Sequence, residues 1–172
     1  MNKYQKEKLF ELYINRLSEK EFLSMFDFSR IEMPNRLSEM LIEAIETKSR
    51  TEVEMGVHLG FTFGFASNIV NVLNELVILD WHTTHDQIVH LLKDFSDESS
   101  IPYLKETIKL KPNLSYLDYD DYGSYYKVCL WALADIGTKE SFEAIKAYRN
   151  SNDEALRKEA IYRYEKIKKY IE

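Results

Sequence analysis

His82 and His85 stand three residues apart between two carboxylates, Asp80 and Asp86. On a helix that spacing presents both imidazoles to one side, and with Asp86 they could hold a transition metal. The HExxH spacing is absent and no second cluster offers further ligands. The competing reading gives Asp80 or Thr83 to a helix N-cap and leaves His82 and His85 as surface contacts. That second reading is the expectation, with no metal and no other cofactor. The lone Cys129 falls on an apolar helical face, where a thiol is inert packing, so nucleophilic catalysis finds no support.

A second concentration of chemistry lies in Lys-Pro-Asn-Leu-Ser-Tyr-Leu-Asp-Tyr-Asp-Asp-Tyr, residues 111–122. Tyr116, Tyr119 and Tyr122 alternate there with Asp118, Asp120 and Asp121. Tyrosine supplies large, rigid contact area, and aspartate supplies charge against a basic protein. The plain alternative is a solvated loop, propped by its tyrosines, in which Asp120 or Asp121 caps the following helix. Neither grouping is catalytic, and we expect no enzymatic activity.

The elements that position these groups are helical. The chain has 172 residues, with twelve tyrosines, nine phenylalanines and two tryptophans but only five glycines and three prolines. That length suits one domain, residues 1–172, and so few breakers argue for an all-α protein. A single cysteine cannot form a disulfide within the chain, and the charged N-terminus does not read as a signal peptide, so a cytoplasmic protein is expected. The net charge of −6 is uneven. Residues 80–126 hold nine acids and four bases, whereas 127–172 hold ten bases and eight acids. Phosphates are repelled by such an acidic middle, which argues against nucleic acid and for a basic protein partner.

In chain order, a first helix is predicted from Lys3 to about Leu17, with Leu9, Phe10, Tyr13, Ile14 and Leu17 inward. Ser18 and Glu21 form a capping box for a short second helix. Pro34 suits the first turn of a third helix that ends near Thr47. Ser49 and Thr51 offer two overlapping caps for a fourth. Gly56, Gly60 and Gly64 follow at a spacing of four. They mark either close packing against another helix, with Phe61, Phe63 and Phe65 filling the remaining core, or a kink at Gly64. The apolar run from Gly56 to Leu79 carries His58, Asn68, Asn71, Asn74 and Glu75, so it reads as a buried helix of a soluble protein rather than a membrane span.

From Trp81 a pattern repeats. Thr84, Ile88, Leu92 and Phe95 share one helical face, as do Tyr125, Cys129, Leu133 and Ile136, and again Leu156, Ala160, Tyr164 and Ile167. Gly137 ends the middle helix and Thr138 caps the next, so a short turn joins two antiparallel helices. Three copies of one stripe with outer helices between them signal a helical-hairpin solenoid. Phe95 to Ile136 spans 41 residues but Ile136 to Ile167 only 31. The ten extra residues fall in the acid–tyrosine segment, and insertions into such repeats emerge as loops on one face, often the binding face. The basic C-terminal helix, from Asp153 to Glu172, reads as the polar cap of the stack.

Ala-Leu-Ala-Asp-Ile-Gly-Thr (132–138) and Asn-Asp-Glu-Ala-Leu-Arg-Lys-Glu-Ala (152–160) resemble inner-helix segments of HEAT repeats. Asp153, Leu156, Arg157 and Ala160 fit that pattern, while His85 and Tyr126 stand where the other two copies would carry its arginine. The resemblance covers about residues 81–170 and implies a HEAT-like solenoid over 81–172, preceded by divergent helical pairs in 1–80. The series at 80–88, 116–122 and 127–138 is also similar to small HEAT-like immunity proteins of bacterial toxin systems, including contact-dependent growth inhibition. What this resemblance implies is binding and neutralisation of a cognate toxin domain, a basic nuclease, by an acidic, tyrosine-rich surface. The expected contacts are Tyr116, Asp118, Tyr119, Asp120, Asp121, Tyr122, Tyr126, His82 and His85, with no nucleic acid, membrane or small-molecule substrate. A general repeat scaffold for another protein is the alternative, and a metal enzyme centred on His82 and His85 the third reading.

Overall fold

A computed structural model describes residues 1–26, 29–117 and 123–170, which are helical throughout and contain no strand among the described residues. Contacts divide the chain into two compact units, Met1–Val72 and Leu73–Glu172.

The first unit holds α1 (Lys3–Tyr13), α2 (Glu19–Ser24), α3 (Met33–Thr47), α4 (Arg50–Phe63) and the start of α5 (Ile69–Val77). Its helix starts follow local chemistry. The Ser18 hydroxyl accepts from the Glu21 N–H while the Glu21 carboxylate takes the Ser18 N–H, closing the expected capping box. Pro34 sits in the first turn of α3, where its missing N–H costs nothing. Ser49 occupies the N-cap of α4 without a side-chain bond, and Thr51 lies inside the helix, so neither expected cap bond forms. α3 packs on α4, and α1 packs on α2 and α4. Leu9, Phe22, Met33, Leu37, Met40, Met55, Leu59 and Phe63 form the core.

Both readings of the glycine stripe apply, at different glycines. Gly64 follows α4 with φ +91°, a conformation side chains resist, and no helix resumes until Ile69. Gly56 and Gly60 mark close approaches. A Cβ on Gly56 would lie 2.7 Å from Leu41 Cδ2, and one on Gly60 would lie 2.1 Å from the Phe65 ring. Phe63 is buried as expected, but Phe61 is 60 % exposed, because α4 turns it away from α3. Phe10 is likewise exposed, since α1 ends at Tyr13 and buries only Leu9 fully. The break after Gly64 also divides the long apolar run. Among the described residues no helix is long and apolar enough to cross a membrane.

The second unit holds the rest of α5, then α6 (His85–Phe95), α7 (Ile101–Leu110), α8 (Ser124–Ile136), α9 (Lys139–Tyr148) and α10 (Glu154–Ile167). α8 is its centre and packs against α6, α7, α9 and α10. The repeated stripe is what it buries. Ile88, Leu92, Cys129, Leu133 and Ala160 are inaccessible, Tyr125 and Leu156 nearly so, while Phe95 at the end of α6 is 40 % exposed. Gly137 takes the left-handed conformation, φ +72°, that stops α8. Thr138 then caps α9, its hydroxyl accepting from the Ser141 N–H and Ser141 replying to the Thr138 N–H. A polar chain crosses this interior. Thr107 Oγ1 donates to the Val77 carbonyl at 2.7 Å, so the Tyr125 hydroxyl, 2.6 Å away, must be the donor to Thr107.

Candidate functional site

α5 ends at Val77 and leaves carbonyls that no later turn of its own helix can satisfy. Two carbonyls near that end, Leu76 within α5 and Leu79 two residues beyond it, lie three residues apart in sequence. His82 and His85 repeat that spacing six residues on. His82 Nε2 lies 2.9 Å from the Leu76 carbonyl, and His85 Nε2 lies 2.8 Å from the Leu79 carbonyl. A carbonyl only accepts, so both rings carry their proton on Nε2 and donate.

The second nitrogen of each ring is then an acceptor. His82 Nδ1 takes the Thr84 N–H at 3.1 Å, and His85 Nδ1 takes the Tyr116 hydroxyl at 2.7 Å. The two rings stack with centroids 4.1 Å apart and planes 19° from parallel, with Trp81 edge-on to His82 at 5.3 Å. Burial, and then the neighbouring His82, push the His85 imidazole down to about pKa 3, so it stays neutral in its stack.

This overturns the surface role expected for the histidines. His82 is 1 % and His85 0 % exposed, because the spacing that could have served a metal serves the Leu76 and Leu79 carbonyls instead. Every ring nitrogen is engaged, and among the described residues no group of three or more His, Cys, Asp or Glu is placed to hold a metal. The expected caps Asp80 and Thr83 also give way, since Thr84 holds the N-cap position of α6 without a side-chain bond.

Tyr126 turns inward as well. It is 2 % exposed, its hydroxyl donates to Asp153 Oδ2 at 2.9 Å, and Lys111 Nζ lies 5.0 Å from its ring centre. Asp153 is the N-cap of α10 and takes the Leu156 N–H at 3.0 Å. Burial tends to raise its pKa, but the Leu156 N–H, the Tyr126 hydroxyl and Lys111 outweigh it and hold the carboxyl below the usual range. Tyr126 is therefore a strut between α8 and the start of α10, not a docking contact.

The described part of the insertion folds onto this framework. Two short 3-10 turns, Lys111–Asn113 and Ser115–Leu117, bury Leu114 and Leu117 and leave Tyr116 half-buried on His85. Asp118, Tyr119, Asp120, Asp121 and Tyr122 lie outside the described residues. Leu117 and Ser124, which flank them in the sequence, both line a cleft of about 340 Å³ bounded also by Thr83, Asp86, Gln87, Tyr116 and Tyr125. Sequence reasoning missed the role of the histidines. The signal was an apolar helix that ends just upstream of both.

The first unit carries a larger and more open groove of about 740 Å³ along α1 and α4, floored by Phe10, Ile14 and Met55. Its central cation, Lys6, is already bridged to Glu43 at 2.9 Å and Glu52 at 3.0 Å. Comparison with protein-family profiles, with curated proteins and with solved structures finds no match.

Proposed function

We propose that this chain is a HEAT-like repeat protein that binds and neutralises a cognate bacterial toxin domain, a basic nuclease, through the acidic, tyrosine-rich face at its insertion. Support for the repeat arrangement comes from the packing order of the second unit. α6, α8 and α10 contact one another in sequence, α9 adjoins both α8 and α10, and α7 touches both α8 and α9. The single observation that carries the functional reading is the way the insertion is held. Leu114 and Leu117 are buried and Tyr116 is hydrogen-bonded to a buried histidine, so the segment that leads to the acids is fixed at its base. A fixed base next to three aspartates and two tyrosines in the sequence lowers the ordering cost of binding a protein partner.

The test is binding and protection with the toxin domain encoded directly upstream of this chain's gene. The parent should form a stable complex and protect cells. Reversing the charge at Asp118, Asp120 and Asp121 together should slow association and flatten its salt dependence. Tyr119→Ala or Tyr122→Ala should speed dissociation, by the ~2 kcal/mol of an interface anchor. Loop variants that bind and protect like the parent would sink the reading, and a general scaffold for another protein would then stand in its place.

A further inference from the structure

We propose that the cleft between the N-terminal ends of α6 and α8 receives an arginine side chain of the protein partner, an inference that rests on the partner-binding reading above. Asp86 is the one carboxylate among the described residues lining the cleft. Its side chain is 53 % exposed, and the one basic side chain within 4.0 Å of it among the described residues is the His90 imidazole, Nε2 at 3.9 Å. Among the described residues no lysine or arginine lies within 4.0 Å of it, so a cation is the complementary occupant, and an anion would meet like charge at contact range.

The remaining walls select which cation. Tyr116, whose hydroxyl donates to His85, is one of the lining residues, and an aromatic ring attracts a flat cation. Leu117 is the apolar residue of the lining and suits methylenes. Thr83, Ser124 and Gln87 make the rest of the lining polar. A guanidinium is planar, carries five donors in a fixed fork and sheds water more readily than an ammonium, so it matches a carboxylate in a cleft with a ring and neutral polar residues better than lysine does. The volume of about 340 Å³ lies at the small end for ligand cavities, room for one side chain.

The test titrates the isotope-labelled full chain with Nα-acetyl-arginine methylamide, followed by amide resonances, with the citrulline and lysine counterparts as controls. The arginine probe should shift Thr83, Asp86, Gln87 and Ser124 saturably, with a dissociation constant on the order of 1–10 mM. Asp86→Asn should weaken it about tenfold, the scale of one charge-assisted contact. Asp86 is exposed, so this variant should keep the parent's spectrum elsewhere. Shifts that never saturate, a citrulline probe as strong as arginine, or a lysine probe equal to it would each overturn the assignment. A toxin-domain complex formed equally well by the parent and Asp86→Asn would overturn the arginine pocket while the partner-binding reading stood. Absence of any complex with the parent would overturn the reading itself.

Discussion

The Tyr116 hydroxyl donates to His85 Nδ1 at 2.7 Å, joining residues 31 positions apart and tying the insertion to the first turn of α6. Because His85 also holds the Leu79 carbonyl, one ring links the end of α5, the start of α6 and the inserted segment. Tyr116→Phe removes a single neutral hydrogen bond and should cost about 1 kcal/mol. His85→Phe leaves both the hydroxyl and the carbonyl without a buried partner and should cost about 2–4 kcal/mol. The double variant should lose less than the sum, by roughly 0.5–1.5 kcal/mol. Urea denaturation of the four proteins gives the cycle, and strict additivity would mean the two side chains do not interact.

Stability should depend on pH through His85. The imidazole is held at about pKa 3 in the folded chain, by burial first and the adjacent His82 second, against an ordinary value of 6.5. The unfolded chain therefore takes up a proton below pH 6.5 that the folded chain refuses. The stabilisation is complete above that pH and declines by ~1.4 kcal/mol per unit as pH falls toward 3. Urea midpoints from about pH 7.5 to about pH 4.5 stay largely above the carboxylate range. Across that window the parent should lose stability more steeply than His85→Gln, and parallel curves would contradict the buried neutral imidazole.

Gly56 and Gly60 should separate by what a methyl group would meet. At Gly56 it would press on Leu41, which is fully buried. Gly56→Ala should thus destabilise by roughly 1–3 kcal/mol despite a helix-propensity gain of about 1 kcal/mol. At Gly60 the obstacle is the far end of the half-buried Phe65 side chain, which can turn about its side-chain torsions, so Gly60→Ala should cost less. Gly60→Leu exceeds what that ring can yield and should destabilise strongly. Thermal melts rank the three, and a Gly56→Ala variant as stable as the parent would show that α4 does not approach α3 so closely.

On α8, Leu133 and Cys129 are both inaccessible. Leu133→Ala should cost about 2–5 kcal/mol through the lost transfer energy and the cavity left behind. Burial pushes the Cys129 thiol well above its ordinary pKa, so the reactive thiolate is scarce. The native chain should resist an aromatic disulfide reagent and react fully only in denaturant. Rapid labelling of the folded protein would place Cys129 at the surface. Cys129→Ser buries a hydroxyl and should cost about 1–3 kcal/mol.

What the sequence determined by itself is everything that depends on a few neighbouring residues. The Ser18–Glu21 box, Pro34 in the first turn of α3, the left-handed stop at Gly137 and the Thr138 cap are each complete within four positions. The stripe of Ile88, Leu92, Cys129, Leu133 and Ala160 was equally legible, because helical period alone puts those side chains on one face. Tertiary structure decided which face meets a neighbour and what that neighbour offers. Nothing local distinguishes His82 and His85 as metal ligands from His82 and His85 as donors to Leu76 and Leu79, since both roles need the same spacing and only the position of the α5 end selects one. Tyr126 turns in because Asp153 waits 27 residues away, while Phe10 and Phe61 stay exposed on α1 and α4 although periodicity put them inward. Hydrogen-bond partners and covering surfaces come from segments distant in sequence, and periodicity carries no information about them.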